Sequence, residues 1–61
     1  MDSVDVRMED EKGWVASYCL AAVPRVGDYI YEIVNTYRVT RVTWFFPRKD
    51  RACVTLTVIK E

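Results

Sequence analysis

The 61-residue sequence predicts an all-β domain, a small antiparallel barrel of about five strands, and three observations lead there. Segments with strand periodicity or strong β propensity recur at short spacing along the chain. Turn chemistry separates them, as EDEKG at 9–13, PRVGD at 24–28 and PRKDR at 47–51. No internal repeat or low-complexity tract interrupts the series. Closing such strands into a barrel would remove the edges that otherwise promote aggregation.

SVDVRM at 3–8 alternates, with Val4, Val6 and Met8 on one side and Ser3, Asp5 and Arg7 on the other. EDEKG then turns, with Gly13 free to take positive φ. WVASYCLAAV at 14–23 suits a strand that sets Trp14, Ala16, Tyr18 and Leu20 on one face, and its alanines would also suit a helix. Gly13 is a poor helix cap and Pro24 would end either element; the strand is the favoured reading. PRVGD makes the next turn, and DYIYEIV follows with strong β propensity. Asn35-Thr36 suits a tight connection into YRVTRVTWFF at 37–46. After the basic loop at 47–51, ACVTLTVIK ends the series with Val54, Leu56 and Val58 inward and Cys53, Thr55 and Thr57 outward.

Strict alternation fails in YRVTRVTWFF, because either assignment of faces buries an arginine. An unpaired buried charge costs several kcal/mol, more than a small domain can absorb. One extra residue at Thr40-Arg41, a β-bulge or sharp bend, repairs the pattern. Tyr37, Val39, Val42, Trp44 and Phe46 then face the core, while Arg38, Thr40, Arg41, Thr43 and Phe45 face outward.

Length and charge bound what such a domain can be. Sixty-one residues make a single domain (1–61, with 1–13 an acidic strand and loop and 14–61 the barrel core). A chain this short buries only about 60% of its unfolded surface, so a dense core or a homodimer is expected to compensate. A hydrophobic fraction of 51% rejects disorder. Net charge is zero, yet Asp2, Asp5, Glu9, Asp10 and Glu11 crowd the N-terminus while Arg38, Arg41, Arg48, Lys49 and Arg51 crowd one later segment. A neutral balance argues against a dedicated nonspecific DNA binder. The acidic N-terminus lacks the apolar core of a signal peptide, and the apolar run at 14–23 is too short to span a membrane. A cytoplasmic location is expected, with Cys19 and Cys53 reduced.

With no histidine, the chain lacks the commonest general base and metal ligand. Asp28 and Glu32 share a face of their strand, which for two exposed acids means solvation rather than catalysis. Two cysteines complete a tetrahedral zinc site only if a dimer supplies four thiolates. Glycine is too sparse for a phosphate cradle. No enzyme, cofactor or metal site is expected.

Two surface readings remain. Tyr29 and Tyr31 point outward if Ile30 points inward; with Arg38, Arg41, Phe45 and the loop residues Arg48, Lys49 and Arg51 they would form a protein-binding surface, since exposed tyrosine and arginine dominate interfaces. Alternatively Arg38, Arg41, Arg48, Lys49 and Arg51 with Phe45 as a stacking platform would bind nucleic acid.

VPRVGDYI, YRVTRVTW and VTLTV, within residues 23–58, resemble short SH3-like barrel proteins of unknown function from phages and prophages. The resemblance implies an SH3-like barrel and a phage-encoded protein that binds or inhibits a host protein in the host cytoplasm. It carries over no site residue.

Overall fold

The computed structural model describes residues 3–61; Asp2, one of the acidic residues noted above, lies outside them. The chain is all-β, five strands in one curled half-barrel sheet compatible with a small SH3-like barrel. They are β1 (Val4–Asp10), β2 (Gly13–Leu20), β3 (Tyr29–Glu32), β4 (Asn35–Arg48) and β5 (Arg51–Lys60), in spatial order β2-β1-β5-β4-β3. Three pairs are antiparallel, but β1 and β5 run parallel at the centre. No ladder joins β2 to β3, so the sheet curls without closing.

Alternation sorts the two faces. Val6 and Met8 on β1, Val54, Leu56 and Val58 on β5, and Tyr37 and Val39 on β4 form the buried cluster, with Val4, Val15, Leu20, Val23, Ile30 and Val42 packed around it. The residues 14–23 settle as strand through Leu20, and Ala16 is buried opposite Met8. Register slips between Met8 and Glu9, where Val15 is the extra residue, and pairs Glu9 with Trp14. Trp14 therefore leaves the face it was expected to share with Ala16, Tyr18 and Leu20. Its indole Nε1–H donates to Ser17 Oγ at 2.9 Å on the outside.

The bulge in β4 falls where the arginines demand it. Val39 pairs with Val58 and Arg41 with Thr57, leaving Thr40 as the inserted residue. Its hydroxyl donates to the Thr57 carbonyl at 3.1 Å, so the bulge satisfies a polar group beside the interrupted ladder. Tyr37, Val39 and Val42 turn inward as expected.

Trp44 and Phe46 share the inner face yet are not core: they are 47% and 68% exposed and stack on each other at 6.2 Å between centroids. The reason is that β3 pairs only with Asn35–Arg38, so nothing stands opposite the far half of β4. A second slip between Phe45 and Arg48 accommodates Pro47, which has no N–H for a ladder. The basic loop shrinks accordingly to a tight turn at Lys49-Asp50, because Pro47 and Arg48 belong to β4 and Arg51 to β5.

The turns follow local chemistry with one exception. Lys12 N–H donates to Asp10 Oδ1 at 2.8 Å and Gly13 takes φ 119°, closing the β1–β2 hairpin. In PRVGD, Asp28 N–H donates to the Arg25 carbonyl and Gly27 takes φ 95°, as a turn with glycine at its third position requires. Bonds from Gly27 N–H to the Val39 carbonyl and from Val39 N–H to the Asp28 carbonyl fasten this turn to β4, each 2.9 Å. The exception is the β3–β4 hairpin. Its register, Glu32 opposite Asn35, puts the turn at Ile33-Val34 rather than at Asn35-Thr36, so DYIYEIV supplies a strand of only four residues. Ile33 sits there at φ 55°, a conformation that β-branched side chains rarely adopt.

Candidate functional site: the outer face and the β3–β4 tip

Strand pairing arranges the outward side chains in rows across the sheet. Cys19, Asp5, Cys53 and Phe45 make one row; Ser17, Arg7, Thr55 and Thr43 the next; Trp14, Glu9, Thr57 and Arg41 a third. Ile59, Arg38 and Tyr29 complete a fourth on β5, β4 and β3. The residues singled out by sequence thus form a stripe along β4 rather than one pocket. From Arg38 to Phe45 it runs about 20 Å at the usual strand rise.

Electrostatics divides that stripe. Arg51 turns away from it and donates through Nη2 to Asp5 Oδ2. Cys19 Sγ donates to the other oxygen of the same carboxylate at 3.2 Å. The Arg51 hydrogen bond, then the thiol's, then the arginine's charge hold the Asp5 carboxyl below the usual aspartate range. The same thiol–carboxylate hydrogen bond, reinforced by the negative charge, pushes Cys19 up. Cys19 and Cys53 flank β1, separated by two strand spacings or about 9.6 Å, which is beyond a disulfide's reach. Arg38 lies 3.7 Å from Glu61 Oε2, too long for a hydrogen bond, and its buried Nε has no hydrogen-bond partner among the described residues. Of the five cations in this segment, Arg41, Arg48 and Lys49 form no ion pair among the described residues.

The densest exposed apolar group lies at the opposite end of β4. Tyr29, Tyr31, Ile33 and Val34 all project from the β3–β4 hairpin, with Tyr31 73% and Ile33 83% exposed. Ile30 packs against the core between the two tyrosines, which fixes their outward parity. Val26 adds a further exposed side chain from the preceding turn. Ile33 and Val34 escaped sequence reading because β-branched residues signal strand, not turn. Trp44 and Phe46 escaped because periodicity gives a side chain's direction but not whether anything covers it. Beside this tip, between β2 and β3, a groove of about 240 Å³ is lined by Tyr18, Leu20, Pro24, Ile30, Tyr31 and the floor of the core.

Among the described residues no helix is long and apolar enough to cross a membrane. Comparison with protein-family models, with curated proteins and with solved structures finds no match for this chain.

Proposed function

We propose that this protein is a non-enzymatic protein-binding module whose contact surface centres on the β3–β4 tip. The observation that carries this reading is the pairing of exposure with strain. Ile33 holds an unfavourable positive φ in a turn where asparagine or glycine would relax it, and Tyr29, Tyr31 and Val34 stand exposed around it. Such a patch on a small domain marks an interaction site, and burying tyrosines beside an arginine is how protein interfaces gain most of their energy. Tyr29, Tyr31 and Arg38 form the centre, with Arg41 and Phe45 extending it along β4. The resemblance to phage barrels supports a host protein as the partner, bound in the host cytoplasm and inhibited by the contact.

A second reading rests on Phe45, exposed between Arg41 and the Arg48-Lys49 pair, as a nucleic-acid platform. The pairing of Arg51 with Asp5 and the closeness of Arg38 to Glu61 reduce the charge available to it.

The experiment is affinity capture from host lysate, identification by mass spectrometry, and titration of the purified partner against variants. Tyr31→Ala and Ile33→Asn are expected to weaken binding at least tenfold, the level of an interface hot spot. Ile33→Asn should at the same time raise unfolding stability by about 1 kcal/mol through relief of the positive φ. Unchanged affinity in both variants and in Phe45→Ala rejects this surface. Amide shifts on adding oligonucleotides, weakening steeply with salt, would favour the second reading.

A further inference from the structure

We propose that the free edge of β2 is a self-association site, where a second copy of this chain adds its own β2 in antiparallel register. On the inner face this edge adjoins the β3–β4 tip across the groove lined by Tyr18, Leu20, Ile30 and Tyr31. Trp14 and Ser17 on its outer face lie outside that groove, so each proposal can fail without the other.

Among the described residues the sheet has three free edges: β2, β3, and β4 beyond Val39. Two are guarded in the ways proteins use against strand addition. β3 has four residues and ends on Glu32; the free part of β4 carries Arg41, Pro47 and Arg48. β2, GWVASYCL, has eight residues with no charge and no proline, and its sole irregularity is the bulge at Val15.

An uncharged edge favours a second copy as the occupant. In a two-fold interface each residue of β2 faces a residue of the same strand, so any charge near the axis would face its own like. With the axis normal to the sheet near Ser17, the two sheets join with both concave faces on one side. Trp14, 60% exposed on the outer face, and Tyr18, part-exposed on the inner one, then gain a neighbour on each side of the seam. The ends of the molecule match as well. Because β1 runs parallel to β5, the Glu9–Glu11 tip lies at one end of the sheet and the Arg48–Arg51 turn at the other. The two-fold reverses one copy; with Glu9 paired to Arg7 and Arg51 to Asp5 within each copy, Asp10 and Glu11 come level with Arg48 and Lys49 of the partner.

Sedimentation equilibrium of the full chain from micromolar to millimolar concentration tests this, together with amide exchange across residues 14–20. The expected result is a reversible dimer whose β2 amides gain protection as concentration rises. Ser17→Lys should raise the dissociation constant by roughly tenfold or more, since opposed lysines act across a two-fold axis. Trp14→Lys, also on the exposed outer face, carries the test if Ser17→Lys fails to fold by circular dichroism. A chain monomeric throughout the range overturns the proposal. So does a dimer that both lysine variants leave intact, or one whose β2 amides exchange independently of concentration.

Discussion

Asp5 joins three strands through one side chain, accepting from Cys19 on β2 and from Arg51 on β5. Its folded-state pKa is lowered, so the stability it contributes is present above the ordinary aspartate range and is lost as pH falls through its folded value. Denaturation midpoints measured from neutral pH to about pH 2 should fall on the acid side, and Asp5→Asn should flatten that fall. The same substitution removes the carboxylate that holds the Cys19 proton in place. Cys19 in Asp5→Asn is therefore expected to react severalfold faster with iodoacetamide at neutral pH, because the thiolate is the reacting form. Equal rates in both proteins would show that the carboxylate does not govern the thiol. At this scale the sequence was partly legible: it showed an acidic N-terminus and a basic later segment, but which acid meets which base depended on β1 and β5 becoming neighbours.

The β4 bulge shows why some elements can be read from sequence and others cannot. Arg38 and Arg41 forbid a flat strand, so the penalty for burying charge located the extra residue within one position of Thr40. The β3–β4 turn was illegible for the opposite reason: Ile33-Val34 violates turn chemistry, and the relaxed alternative two residues on was the better local choice. Exposure of Trp44 and Phe46 was out of reach too, since no pattern within β4 reveals that β3 stops short. The bulge itself makes a prediction. Deleting Thr40 restores strict alternation and leaves every β4 side chain on its present face, so the variant should keep a dispersed amide spectrum. Inserting one alanine after Leu56 instead turns Val58 out of the core and should unfold the domain, as loss of a buried aliphatic costs about 2–5 kcal/mol in a chain with little to spare. Equal tolerance of the two changes would mean that register is not what holds β4 and β5 together.

For the molecule as a whole, the expected all-β fold and barrel-like curl hold, whereas the parallel pair at the centre was not foreseen. Sequence patterns mark strands and faces; the choice of partner is decided by which packing buries the faces together. Such a topology, with contacts spanning nearly the whole chain, should refold in milliseconds to seconds despite its size, and stopped-flow tryptophan fluorescence measures this directly. Relaxation in microseconds would point to local contacts in control. The adjacency of β1 and β5 also has a meaning for biosynthesis. Within this domain β1 is made before β5, its central neighbour, and until Val54, Leu56 and Val58 emerge, Val6 and Met8 have half their enclosure missing. No nascent fragment can finish ahead of the rest. Folding of this domain begins in earnest only once its fifth strand has been made.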